Sequence, residues 1–166
     1  MDDHAPVLDG GCSCRQVRFR LQGRPLFVHC CHCTWCQRES GSAFALNAMI
    51  EADRVQLLAG DVDVVETPSA SGKGQQISRC PRCRVAVWSN YAGASAAVRF
   101  VRVGTLDESG RTPPDIHIFT STKLPWVVLP PGVPAVEEYY RASEHWPAAS
   151  LERRARLLAQ AQQQQQ

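Results

Sequence analysis

Apolar and polar positions alternate with a period of two along most of this chain. In QVRFRL, residues 16–21, Val17, Phe19 and Leu21 share one side and polar residues the other, which predicts a half-buried strand. PLFVH, residues 25–29, predicts a second strand that runs straight into a group of cysteines. AFALNAMI, residues 43–50, places Phe44, Leu46, Ala48 and Ile50 on one face. RVQLL (54–58) and DVDVVET (61–67) flank Gly60-Asp61, a turn pair that predicts a hairpin. VAVWS (85–89), VRFVRVGTL (98–106) and DIHIF (115–119) complete the strands. SASGKGQ, residues 69–75, reads as a flexible loop, and Pro113-Pro114 and Pro130-Pro131 punctuate later connections. Short strands with frequent turns predict a mainly β fold.

The pattern changes to a helical period in two places. A short helix is expected with Thr34 as N-cap and Gly41 just past its end. A longer one is expected over about residues 149–161, with Ser150 as its cap and Leu151, Ala155, Leu158 and Ala159 roughly on one face. Gln162 to Gln166 form a low-complexity tail that reads as frayed. There is no internal repeat. The expected organisation is one domain over residues 1–135 and an extension with a helix over 136–166.

Composition narrows the class. The chain has 166 residues, 44% hydrophobic and 20% charged, which suits a folded domain rather than a disordered one. Its 18 basic and 16 acidic residues give a net charge of +2, and no basic stripe suggests nucleic acid. The first residues, MDDHAPVLDGG, have neither the basic nor the apolar region of a signal peptide. No apolar run approaches the length of a membrane span. The expectation is a cytoplasmic protein, monomer or homodimer, with no membrane or nucleic-acid partner. In that compartment clustered cysteines are more often metal ligands or reactive thiols than disulfides.

The eight cysteines fall into three groups: Cys12 and Cys14; Cys30, Cys31, Cys33 and Cys36; Cys80 and Cys83. Cys12-Ser13-Cys14 is too short a loop to close without strain, and adjacent Cys30-Cys31 is worse. Zinc fits the spacing better. Two short pairs far apart, Cys12/Cys14 and Cys80/Cys83, make a closed tetrahedral site, with Pro81 pre-setting the turn of CPRC. Four thiolates on one Zn²⁺ leave about two negative charges, which Arg15, Arg79, Arg82 and Arg84 can offset if they are not simply surface residues.

Cys31, Cys33 and Cys36 offer three ligands without an evident fourth. A closed structural zinc has four protein ligands, whereas a catalytic zinc keeps one position open. Cys30 and His32 alternate with these ligands and should face away. The alternatives are a tetrahedron closed by His29, Cys30 or His32, or a single zinc with the other cysteines free in the core. Three thiolates make zinc electron-rich and suited to a further sulfur ligand. A thiol bound there would lose its proton and stay nucleophilic near neutral pH. The chemistry predicted is addition of a substrate thiol to an electrophile, or the reverse. Two other readings compete: a non-catalytic zinc-stabilised binding module, and a redox sensor in which Cys30 or Cys31 reacts as metal leaves.

Four stretches, GGCSCRQVRF, CHCTWCQRESGSAF, SRCPRC and PDIHIFTSTKLPW, resemble in order and separation the glutathione-dependent formaldehyde-activating enzyme family, which includes centromere protein V. They cover roughly residues 10 to 126. The resemblance implies a mainly β, Mss4-like fold of several small antiparallel sheets. It implies two zinc ions, one structural on Cys12, Cys14, Cys80 and Cys83 and one catalytic on Cys31, Cys33 and Cys36. The implied activity is that of a carbon–sulfur lyase, forming S-(hydroxymethyl)glutathione from glutathione and formaldehyde. One departure stands out: the family's knuckle reads C-x-x-C-G, and here Arg84 follows Cys83, at a backbone position where glycine would allow a left-handed turn.

Further candidates come with plainer alternatives. Ser40, Gly41 and Ser42 could contact a substrate carboxylate or merely stop a helix. His117, between Ile116 and Ile118, could line the pocket or be a hydrogen-bonded structural histidine. Lys123 could pair with an anionic substrate and Trp126 wall the pocket, or the two could be a solvated lysine beside a packed tryptophan. Arg38 could offset the cluster's charge or lie exposed on its helix. EEYYRASEHW, residues 137–146, could cover the pocket or contact a second subunit.

Overall fold

The computed structural model describes residues 6–94 and 96–163 and has the expected mainly β architecture. Its strands in chain order are β1 (Val7–Gly11), β2 (Arg18–Gln22), β3 (Phe27–Cys31), β4 (Ala45–Glu51), β5 (Val55–Ala59), β6 (Asp63–Thr67), β7 (Gln75–Arg79), β8 (Ala86–Tyr91), β9 (Val98–Arg102) and β10 (Ile116–Ile118). They form a three-stranded sheet, β1-β2-β5, and a seven-stranded sheet, β10-β3-β4-β9-β8-β7-β6. Every named pairing is antiparallel except β10 with β3, which sets Ile118 beside Cys31 and His117 beside Cys30.

β4 lies between β3 and β9 and is buried on both faces, so its apolar residues do not mark a single buried side. Leu46, Ala48 and Ile50 join a core shared with Phe19 and Leu21 of β2, Trp88 of β8 and Val101 of β9. Phe19 meets Trp88 edge to face, with ring centroids 5.6 Å apart. Met49 faces a second core with Phe27, Cys31, Phe100, Ile116, Ile118 and Trp146. The candidate site grows from this second face.

The predicted hairpin between residues 54–58 and 61–67 does not form. β5 pairs with β2 in one sheet and β6 with β7 in the other. Gly60 turns the chain between sheets at φ 72°, where a Cβ would lie 2.3 Å from the Gln16 carbonyl oxygen. The turn pair is real; it separates two strands instead of pairing them. β1 lacks the sequence signal of a strand because its VLDGG contains two glycines and an aspartate. Packing requires those glycines: a Cβ on Gly10 would lie 2.7 Å from both the Phe19 ring and the Thr105 carbonyl.

Three α-helices are present among the described residues. In α1 (Thr34–Ser40) the N-cap is Cys33, not Thr34, and its Sγ accepts the Cys36 N–H at 3.3 Å. Gly41 ends the helix in the left-handed region, as expected. α2 (Ala142–His145) is a single turn that the sequence pattern did not predict. α3 (Ala148–Gln163) starts earlier than expected. Ser150 lies inside its first turn, and the Pro147 carbonyl accepts the first hydrogen bonds from Ser150 and Leu151. Gln162 and Gln163 continue the helix, and the rest of the glutamine run lies outside the described residues. No helix among the described residues is long and apolar enough to cross a membrane.

Candidate metal centres and cleft

Two similar turns, the second one residue longer, build the first cysteine group. Cys12 donates its N–H to the Val17 carbonyl and accepts that of Arg15; Cys80 donates to Val85 and accepts from Arg84, all at 3.0–3.1 Å. Each turn needs a left-handed residue directly after its second cysteine. That residue is an arginine in both, Arg15 and Arg84, each at φ 62°. The turn geometry of the knuckle survives without its glycine, at a cost of about 1 kcal/mol per residue.

The four sulfurs lie within 4.8 Å of one another. Cys12 Sγ is 3.5 Å from Cys14 Sγ, and Cys14 Sγ is 3.7 Å from Cys80 Sγ. Sulfurs about 2.3 Å from a tetrahedral zinc would be ~3.8 Å apart, whereas a disulfide needs ~2.05 Å. The Val17 N–H also points at Cys12 Sγ, 3.3 Å away. Donor type, number and spacing all fit zinc. Two of the adjoining arginines are paired elsewhere: Arg79 with Glu39, and Arg84 with Asp63.

The second group sits where β3 runs into α1. Cys31 is the last residue of β3, Cys33 caps α1, and Cys36 lies one turn in. Their sulfurs form a mutual cluster, and among the described residues no histidine, carboxylate or further cysteine joins it. Hydrogen bonding from Cys31, then from Cys36, pulls Cys33 down to about 2. The same bonding, with burial, pushes Cys31 far up. Cys36 rises to about 12: although Cys31 draws it down, the Cys33 thiolate and burial prevail. Thiols packed this closely oppose one another's ionisation. A divalent ion would release their protons, and three sulfurs fit zinc with one position free.

Strand alternation divides the neighbouring residues. His29 and Cys31 point to one side of β3; Cys30 points to the other, where it meets His32 and His117. His32 Nε2 lies 3.0 Å from His117 Nδ1 and 3.6 Å from Cys30 Sγ, all of it buried. Cys30 and His32 therefore face away from the trio, as strand geometry predicts. His117 belongs to this buried group and does not line the cleft; its neighbour Ile118 does. His29 faces the cleft, but its Nε2 is 2.5 Å from the Tyr140 hydroxyl, which accepts the Trp146 indole N–H at 2.7 Å. Burial holds His29 down to about 4, so it is neutral near pH 7. Because the Tyr140 hydroxyl already accepts from Trp146, a Tyr140 proton donated to Nε2 would put the His29 ring proton on Nδ1.

A cleft of about 450 Å³ opens over Cys31, Cys33 and Cys36. Trp35, Tyr91, Phe100, Phe119 and Tyr139 contribute aromatic walls, and Asn47 and Arg102 a polar floor. β4 and β9 place Asn47 directly opposite Arg102, whose guanidinium donates to Asn47 Oδ1 and, at 2.9 Å, to Ser89 Oγ.

Several sequence candidates are not part of this cleft. Ser40, Gly41 and Ser42 do not line it; the Ser40 hydroxyl instead donates to the Cys36 and Phe44 carbonyls, closing the helix end. Lys123 Nζ donates to the Leu124 and Val127 carbonyls, at 3.2 and 2.7 Å. Trp126 is exposed rather than packed, and Arg38 is exposed in the last turn of α1. The residues missed were Asn47 and Arg102. A lone asparagine in the apolar run of 43–50 was the available signal, since a polar residue on a buried strand needs a partner. Of residues 137–146, Tyr139 lines the cleft and Tyr140 contacts His29 behind it.

A family profile described as glutathione-dependent formaldehyde-activating enzyme matches residues 7–122. A Halomonas elongata protein named, provisionally, as such an enzyme is 25% identical over 127 residues, covering 74% of this chain and 81% of its own. The crystal structure of a Rhodobacter sphaeroides protein, a structural genomics target, aligns with a TM-score of 0.47 at 16% identity, covering 60% of this chain and 88% of that one.

Proposed function

Since the chain belongs to the glutathione-dependent formaldehyde-activating enzyme family, we propose that it is a zinc-dependent carbon–sulfur lyase. On this reading it makes or breaks the bond between a small thiol and a one-carbon or similar electrophilic centre, with glutathione and formaldehyde the first pair to assay. The observation that carries the proposal is the trio Cys31, Cys33 and Cys36, clustered at the floor of a cleft with no fourth protein ligand among the described residues. The fully ligated group, Cys12, Cys14, Cys80 and Cys83, takes a structural zinc that ties the first hairpin to the later knuckle, making two per chain.

Zinc on the trio supplies a place where a substrate thiol loses its proton and remains a nucleophile. The chain's own residues do the rest. The Cys36 N–H fixes Cys33 Sγ. Arg102, held by Asn47 and Ser89, offsets the excess negative charge of three thiolates. The Nδ1 proton of His29 and the Arg102 guanidinium are the donors available to a substrate oxygen as charge develops there. The aromatic walls limit water around the reacting sulfur. Residues 1–135 form the zinc-binding domain on this reading, and 136–166 an extension that completes the cleft.

The test is turnover of zinc-loaded protein with a panel of thiols and aldehydes, followed by adduct exchange in NMR. A rate above the spontaneous one is expected for some pair, and Cys33→Ser should abolish it while leaving the circular dichroism unchanged. Undiminished turnover in Cys33→Ser, or no catalysed pair at all, contradicts the proposal and favours a non-catalytic zinc module.

A further inference from the structure

One bank of the cleft is polar. The loop between β6 and β7 brings Ser69 and Ser71 to it, and Gln75, the first residue of β7, follows. The Ser69 carbonyl accepts the Gly72 N–H at 3.0 Å, which turns the loop, and the β7–β8 ladder pairs Gln75 with Tyr91, another cleft residue. Hydrogen bonds within the bank do not use up its groups. The Ser69 and Ser71 hydroxyls lie 3.1 Å apart and share one bond. They carry two protons between them, so one O–H is left over whichever donates. Gln75 is only 6% exposed, yet its Oε1 has no hydrogen-bond partner among the described residues. A buried amide oxygen left unpaired is a cost to the fold that an apolar side chain in its place would avoid.

The complement of this bank is a peptide group. Rotation about the last side-chain bond turns either end of the Gln75 carboxamide to the cleft. The amide can then accept a substrate N–H while the spare serine proton meets a substrate carbonyl. The rim adds positive charge. A Cβ on Gly93, which lines the cleft, would lie 3.7 Å from Lys73 Cδ, so the stem of this lysine runs along the rim. Arg154 lines the adjoining hollow, which shares Gly93, Ala94 and Tyr139 with the cleft. Two cations at the entrance favour a thiol that also carries carboxylates.

Resting on the open-metal reading above, we propose that Gln75 is a specificity-determining residue that binds the peptide group beside the thiol's sulfur, with the Ser69–Ser71 hydroxyl pair as its counterpart. The sulfur docks on the trio, and the cleft prefers a cysteinyl peptide to a thiol without an amide.

The experiment replaces zinc with cobalt(II) in the full chain and follows the sulfur-to-cobalt charge-transfer band as glutathione or 2-mercaptoethanol is added. This reads binding, not turnover. Glutathione should bind at least about tenfold tighter. Gln75→Leu, close in size, should weaken glutathione about tenfold and move 2-mercaptoethanol less than about twofold. The urea midpoint of this variant should not fall, because the Oε1 it removes has no partner to lose. Ser71→Ala, at an exposed position, should weaken glutathione about threefold. Unchanged glutathione binding in Gln75→Leu, or in Ser71→Ala should the first variant not fold, overturns this inference while leaving the open metal standing. So does an equal loss for both thiols, or 2-mercaptoethanol binding as tightly as glutathione to the parent. No spectral change with either thiol overturns this inference together with the reading on which it rests.

Discussion

Arg153 of α3 is the extension's polar anchor, and Arg153→Ala isolates its contribution. Its guanidinium grips Glu51 at the end of β4, Nε to Oε1 at 2.9 Å and Nη2 to Oε2 at 2.6 Å, and a third N–H reaches the Arg24 carbonyl at 3.0 Å. The Glu51 side chain is only 8% exposed. Stranding a buried carboxylate costs about 3–5 kcal/mol. Here Arg54 Nε, 3.7 Å from Glu51 Oε1, supplies partial compensation, so the expected loss is about 2 kcal/mol. Trp146, 7% exposed and stacked on Phe27 at 5.4 Å, anchors the preceding segment independently. Burying about 200 Å² of indole at ~25 cal/mol/Å² is worth up to ~5 kcal/mol. Trp146 thus holds the extension more strongly than Arg153 does, and the cleft wall should stay docked while α3 loosens. In urea unfolding the midpoint should fall at unchanged m, and amide exchange should quicken in residues 148–163 and not around Tyr139 and Tyr140. Stability within about 0.5 kcal/mol of the parent, or exchange that quickens equally at residues 139–146, would refute this ordering of the two anchors.

The two cysteine groups should respond differently to mutation. Cys80→Ser breaks the closed site and should abolish the cooperative unfolding transition, because metal binding there is folding free energy, on the order of 10 kcal/mol; a chelator should do the same to the parent protein. The pair Asp9–Arg20, at 2.7 and 2.8 Å, lowers the Asp9 pKa through that hydrogen bonding, so its contribution is present above the unfolded carboxylate range and is lost as pH falls through the lowered folded value. Both side chains are about a third exposed or more, so solvent screening keeps the pair's contribution small. Asp9→Asn should therefore destabilise slightly at pH 7 in chemical unfolding and lose that deficit below about pH 4. A deficit that grows on acidification contradicts the assignment.

Alternation and cysteine spacing made much of this molecule legible. Val17, Phe19 and Leu21 mark β2 because only one of its faces is buried. Cys30 and Cys31 could be placed on opposite sides for the same reason. What was not legible depends on contacts remote in sequence. β1 exists because Gly10 fits under Phe19, a fact about packing that propensity opposes. Residues 54–58 and 61–67 carry hairpin chemistry, yet the choice of partner was made by β2 and β7. Alternation on DIHIF set His117 opposite its isoleucine neighbours, but only the parallel pairing of β10 with β3 decides which side meets the trio. Arg102 and Asn47 lie 55 residues apart and become a unit only across the β4–β9 ladder.

Metal content and coordination bear on the open trio without an intermediary. Zinc-loaded protein, measured by elemental analysis and X-ray absorption, should hold two zinc ions per chain. Between them they should have about seven sulfur ligands and one light-atom ligand that a small thiol replaces with sulfur. Cys33→Ser should reduce the content to one. A single zinc in the parent protein, or a second zinc whose fourth ligand is a side chain that no thiol displaces, contradicts an open trio.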